Sequence, residues 1–138
     1  MLVKNWMRQP VVTISSNDTM YMARKIMTEN NIRSLPVVKG KHLVGLITDR
    51  ELKRAEASDA TSLDVFELNY LLKKVKVEKI MRTRPVTISF DATLSEAAEI
   101  MLEQKLDALP VMTEGSKLIG ILTQTDVERA ILTLTAFG

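Results

Sequence analysis

Two copies of one short motif hold the residues best placed to do chemistry: Gly45-Leu46-Ile47-Thr48-Asp49-Arg50-Glu51 and Gly120-Ile121-Leu122-Thr123-Gln124-Thr125-Asp126. In each, a threonine closes an aliphatic run and a carboxylate, Glu51 or Asp126, follows three positions later. A carboxylate at a helix start has two uses. It can cap the helix, or it can accept from both hydroxyls of a sugar diol, each charge-assisted bond contributing on the order of 1.5 to 3 kcal/mol. Thr123 and Thr125, next to the amides of a helix N-terminus, make an environment that favours phosphate. Nothing nearby suggests covalent chemistry. There is no cysteine, and His42, the single histidine, stands beside Lys41 in a polar turn where a structural or solvent-exposed role is expected. No glycine-rich loop of the P-loop or dinucleotide type occurs. Neither a catalytic nor a metal site is expected.

These motifs lie in a duplicated chain. Val3 to Val38 overlays Val77 to Met112 at constant offset with about 15 of roughly 36 positions identical, and Leu43 to Ala55 overlays Leu118 to Ala130 one residue further on. Each copy begins with a β-branched run, Val11 to Ile14 or Val86 to Ile88, that favours an extended strand. A helix follows. In the second copy Thr93 and Glu96 have capping-box spacing, and Leu94, Ala97, Ile100 and Met101 recur at helical spacing. The matching Asp18 to Asn30 has Met22 in place of the capping Glu, which predicts a less firmly capped helix. Leu35-Pro36-Val37-Val38 and Leu109-Pro110-Val111-Met112 then face a second apolar run across turns at Gly40 and Gly115, the pattern of a hairpin. Gly45 and Gly120 interrupt the second hairpin strands, and such glycines mark close approach of backbone or ligand. Helices are predicted from about Arg50 and Thr125.

The fold class predicted is α+β (α/β-type): tandem repeats, each a small three-stranded sheet with two helices, related by a pseudo-twofold. The first repeat is assigned to 1–57, a connecting segment to 58–76 and the second repeat to 77–138. In the connector, Ser58 to Ser62 precede an apolar-periodic stretch with Leu63, Phe66, Leu68, Leu71 and Leu72. That stretch is expected to form a turn and a helix that either covers the module or meets a partner. Trp6 either anchors the N-terminal segment or packs at a dimer contact. Methionines beside isoleucines, such as Met27, Met81 and Met101, are expected to fill core gaps.

A chain of 138 residues, 46% apolar and 26% charged, is an ordinary globular balance. Half-size units of about 60 residues are marginal alone, so the repeats are expected to need each other. The net charge of +2 argues against a nucleic-acid binder despite the cluster Lys73, Lys74, Lys76 and Lys79. No apolar run suits a membrane span, and Met1 to Arg8 lacks the apolar run of a signal peptide. No membrane association is expected, and cytoplasmic localisation is the default.

The ordered elements, twice over, with the hydrophobic-Pro-Val pieces and the G-h-h-T-x-x-(D/E) endings, resemble the cystathionine-β-synthase (CBS) domain pair, or Bateman module. The linker helix and the Leu-Val-Lys-Asn-Trp-Met opening are similar to stand-alone CBS proteins of the acetoin-utilisation type. The resemblance implies a regulatory module, not an enzyme, binding AMP, ADP, ATP or S-adenosylmethionine between its repeats, and a homodimer acting on an effector protein. It assigns Asp126 to the ribose, Thr123 and Thr125 to phosphate, Ile32 and Ile121 to the adenine, and Arg33 to phosphate, with Ser15, Ser34 and Pro36 in the same cleft. A second cleft would combine Leu46, Thr48 and Glu51 with Leu106, Asp107 and Ala108. There Asp107 stands in place of arginine and repels phosphate, so weak or absent nucleotide binding is expected. The alternatives are a dimerisation scaffold with empty clefts and, less favoured, a nucleic-acid binder.

Overall fold

The computed structural model describes residues 1–59 and 64–137. Of the connecting segment, Ala60, Thr61, Ser62 and Leu63 lie outside the described residues. The chain packs as two compact units, residues 12–85 and residues 1–11 with 86–138. These units do not follow the boundaries of the sequence repeats. The opening residues pack on the second repeat: the Val3 N–H donates to the Ala92 carbonyl at 2.9 Å, and Arg8 and Ile121 exchange backbone bonds of 2.9 and 3.2 Å. The equivalent residues after the connector pack on the first repeat, where the Val77 N–H donates to the Asp18 carbonyl at 2.7 Å. Val3 and Val77 are each fully buried in those positions.

In the unit 12–85, β1 (Ile14–Ser15) pairs parallel to β2 (Ser34–Lys39), which pairs antiparallel with β3 (His42–Thr48), and β4 (Arg82–Thr83) closes the sheet order β1-β2-β3-β4. Three helices accompany it: α1 (Met20–Asn30), α2 (Asp49–Asp59) and α3 (Val65–Leu72). In the other unit β5 (Ile88–Ser89), β6 (Ala108–Met112) and β7 (Leu118–Thr123) repeat the first three strands, with α4 (Leu94–Gln104) and α5 (Gln124–Phe137). Among the described residues, mixed sheets of four and three strands with five α-helices confirm the α+β class. The first strands are shorter and later than the β-branched runs suggest, because Ile14–Ser15 and Ile88–Ser89 are the residues that meet a partner strand.

Each unit has its own core, built on Met27, Leu35 and Ile47 in one and on Met101, Leu109 and Leu122 in the other. Helix α1 is capped after all: the Thr19 hydroxyl accepts from the Met22 N–H at 3.2 Å, much as Thr93 accepts from Glu96 at 3.1 Å. A threonine at the N-cap suffices without a glutamate behind it. Helix α3 is started by Asp64, whose carboxylate accepts from the Glu67 N–H at 2.8 Å. Leu72 is buried and Leu68 packs on the same core, while Val65, Phe66 and Tyr70 remain exposed. Trp6 packs against the core of its own unit, as an anchor for the opening segment. Among the described residues no helix is long and apolar enough to cross a membrane.

Gly45 and Gly120 are explained by backbone. A Cβ on Gly120 would lie 2.9 Å from the Arg8 carbonyl oxygen, and one on Gly45 would lie 2.8 Å from that of Arg82. Close approach at these positions comes from the Met7-Arg8 and Met81-Arg82 segments, which run beside the second hairpin strands.

Candidate ligand-binding site

Strand β7 delivers Thr123 to the first turn of α5, where Asp126 folds back on it. Asp126 Oδ2 accepts from the Thr123 N–H at 2.8 Å and from its hydroxyl at 3.0 Å, while the Asp126 N–H donates to Thr123 Oγ1 at 3.3 Å. This is a reciprocal cap, satisfying amides that the helix itself leaves open. Asp126 Oδ1 faces two cations: Arg129 Nη2 donates to it at 2.6 Å, and Arg8 Nε lies 3.6 Å away. The Asp126 side chain is fully buried, whereas those of Arg8 and Arg129 are 46% and 54% exposed. A carboxylate withdrawn from water must be paired, and this one is paired by groups that themselves remain half in solvent.

Thr123 is thereby committed to the helix start. Its hydroxyl donates to Asp126 Oδ2 and accepts from the Asp126 N–H, so in this arrangement it serves the cap. The Gln124 N–H is likewise engaged, donating to the Asp107 carbonyl at 2.9 Å. Thr125 is exposed on the same turn, Ile121 is buried in β7, and Ala108 is buried where β6 pairs with Thr123. Asp107 is exposed, and Leu106 packs at the margin of the core.

The unit 12–85 has a parallel arrangement with a longer carboxylate. Glu51 Oε2 accepts from the Thr48 N–H at 3.0 Å and from the Thr48 hydroxyl, and Oε1 pairs with Arg82 Nε. Burial alone would raise the Glu51 pKa, but the hydrogen bonds from Thr48 and Arg82 outweigh it and hold the carboxyl below its ordinary range. Beside it, Arg24 Nη1 donates to Asp49 at 2.6 Å and Nη2 lies 3.2 Å from Glu56. The Arg24 bond, with a second from Lys53, lowers the Asp49 pKa. Burial opposes the Arg24 charge, yet Asp49 and Glu56 raise its pKa overall.

The remaining sequence-predicted site residues of this unit are dispersed along its strands and the turn that precedes β2. Ser15 ends β1, and its N–H donates to Asp18 at 3.2 Å. Ile32 packs at the edge of the core, Arg33 is exposed with its carbonyl accepting from the Asp49 N–H at 2.8 Å, Ser34 opens β2, and Pro36 and Leu46 are buried opposite each other. Sequence reasoning missed Arg8, Arg82 and Arg129. A signal for the first two existed: Val-x-x-x-Met-Arg occurs at Val3–Arg8 and again at Val77–Arg82. Among the described residues no group of three or more His, Cys, Asp or Glu is assembled that could hold a metal ion.

A duplicated strand-helix-hairpin-helix unit with a capped T-x-x-(D/E) ending defines a tandem two-repeat module. The family model for the CBS domain matches residues 3–58 and 77–133, and the chain belongs to the CBS-domain family as a domain pair. It is 35% identical over 127 residues to a CBS domain-containing protein of Dictyostelium discoideum, covering 91% of this chain and 88% of that one. It is also 35% identical over 117 residues to the inosine-5′-monophosphate dehydrogenase of Korarchaeum cryptofilum, where it spans 85% of this chain but 21% of the enzyme's length.

Among solved structures, the CBS domain pair of protein MJ0100, in complex with 5′-methylthioadenosine and S-adenosylmethionine, has TM-score 0.83 and 28% identity over 96% of this chain and 97% of that one. CBSX2, in complex with AMP, has TM-score 0.78 and 29% identity over 97% and 98%. The acetoin-utilization-type protein AcuB of Vibrio cholerae has TM-score 0.79 and 25% identity over 99% and 93%. CBS pairs are in general regulatory modules rather than catalytic centres.

Proposed function

We propose that the chain is a regulatory sensor of an adenosine-containing ligand, AMP, ADP, ATP or S-adenosylmethionine, whose ribose hydroxyls are accepted by Asp126. The observation that carries this is the asymmetric pairing of the Asp126 carboxylate. Oδ2 belongs to Thr123, but Oδ1 is held by two arginines with substantial solvent exposure. Such donors are exchangeable, since partly exposed ion pairs are worth little individually. A ribose diol offers replacement O–H donors to a carboxylate that the cap already holds in place. The ligands of the MJ0100 and CBSX2 pairs, relatives at 28% and 29% identity, support the same ligand class.

Thr125 on the first turn of α5 is assigned to phosphate and Ile121 to the adenine face. Ser15, Ile32, Arg33, Ser34 and Pro36 stay with the proposal through the family resemblance alone. The set Leu46, Thr48, Glu51, Asp107 and Ala108 is assigned weak or no nucleotide binding. The module works as a homodimer on an effector protein. Occupancy acts if the ligand binds one arrangement more tightly than another, a difference of about 1.4 kcal/mol shifting the population ratio tenfold.

One observation favours a second reading, a scaffold without ligand: the reciprocal Thr123–Asp126 cap accounts for the carboxylate by itself. Thermal unfolding with millimolar AMP, ADP, ATP or S-adenosylmethionine separates the two, because a ligand that binds the folded state raises the melting temperature. At least one ligand should do so with the wild type and fail with Asp126→Asn, which keeps the side-chain shape. A flat response to the whole panel favours the scaffold.

A further inference from the structure

Resting on that adenosine-ligand reading, we infer that the Asp126 site prefers adenosines bearing an anionic 5′ group over uncharged or sulfonium-bearing ones, and that Arg8 and Arg129 set this preference. Asp126 contributes one negative charge, and the two guanidinium groups at 2.6 and 3.6 Å from its Oδ1 contribute two positive ones. The cluster is net cationic. Its two halves are differently mobile. The arginine side chains reach into solvent, but their backbones are fixed: Arg8 is bonded in both directions to Ile121, and Arg129 lies one turn beyond Asp126 in α5. A ribose that takes Oδ1 therefore displaces the guanidinium N–H donors without removing the cations from the neighbourhood.

The ribose 5′ carbon is three bonds from the 3′ oxygen, about 3 to 4 Å away. Whatever it carries enters the region swept by the two displaced side chains. A phosphate there restores to the arginines the paired, fork-shaped contact given up at Oδ1. A methylthio group restores nothing. The 5′ group of S-adenosylmethionine sets a sulfonium and an ammonium against a single carboxylate, so it brings net positive charge towards the two arginines and returns less than a phosphate does. The Thr123 hydroxyl is bound to the cap, so the arginines are the cluster's mobile donors for an anion. The equivalent Glu51 in the other unit pairs with Arg82.

The test is calorimetry of the intact chain with AMP, ADP, adenosine, 5′-methylthioadenosine and S-adenosylmethionine. AMP and ADP should bind at least about tenfold more tightly than the other three, a gap of about 1.4 kcal/mol, and added salt should narrow it. The double variant Arg8→Gln/Arg129→Gln should bring all five within about threefold while adenosine still binds; Arg8→Lys/Arg129→Lys, which keeps the charge, should retain the gap. Should the glutamine pair lose adenosine too, the single variants carry the test, each narrowing the gap in part. Adenosine or S-adenosylmethionine binding the wild type as tightly as AMP, or glutamine variants that keep the gap, would overturn the charge preference and leave the adenosine reading intact. No binding by any of the five, nor by ATP, at millimolar concentration removes both.

Discussion

Substituting Gly120→Ala isolates why a glycine interrupts β7. A Cβ there would lie 2.9 Å from the Arg8 carbonyl oxygen and 2.7 Å from Met7 Sδ. The thioether can move; the carbonyl cannot move without disturbing the two backbone bonds between Arg8 and Ile121. Overpacking of this kind costs roughly 1 to 3 kcal/mol. Restricting the unfolded chain returns about 0.4 to 1 kcal/mol, so the net loss centres on about 1.3 kcal/mol. At roughly 4 °C per kcal/mol for a domain of this size, the melting temperature should fall by about 5 °C. Gly115→Ala is the control: its nearest neighbour would be Thr113 Oγ1 at 3.9 Å, an ordinary contact, and the change should stay within about 0.5 kcal/mol. Fluorescence of Trp6, the single tryptophan, reports on the same unit because it packs against that core. If Gly120→Ala melts with the Gly115→Ala control yet loses ligand binding, the glycine serves a ligand and the backbone explanation is wrong.

The unit 12–85 should be sensitive to acid. Glu51 and Asp49 have lowered pKa values in the folded state, so the unfolded chain takes up protons first on acidification. Their contribution is complete above the ordinary carboxylate pKa of about 4 and disappears as pH falls through the lower folded values. Urea midpoints should therefore drop as pH is taken from about 4.5 to 3, and Glu51→Gln should flatten part of that slope; an unchanged slope contradicts the pairing with Thr48 and Arg82. Thr19→Ala and Thr93→Ala should each cost about 1 kcal/mol in chemical denaturation, and a negligible loss at Thr19 would mean its cap to Met22 contributes nothing. With AMP as titrant, Asp126→Asn should weaken binding at least about tenfold and Glu51→Gln far less. Equal losses would contradict the assignment of the stronger site to Asp126.

The duplication, the hairpins across Gly40 and Gly115, the helix behind Thr93 and the helix in the connector were all legible in the sequence. Each depends on residues close in the chain, where periodicity, turn glycines and caps act locally. The family likewise followed from ordered local motifs repeated at fixed spacing. Tertiary structure alone decided which residues share a unit. Nothing local to Val3 or Arg8 indicates that they pair with Ala92 and Ile121, because a strand edge presents the same backbone donors and acceptors to any partner and long-range packing selects among them. The same long-range choice brought Arg8 onto Asp126, turning what the sequence left as either a cap or a sugar acceptor into a buried carboxylate with one oxygen bound to Thr123 and the other shared between two solvent-reaching cations. Residue type decided that a carboxylate stands at the start of α5; burial and the approach of a distant arginine decided its electrostatics.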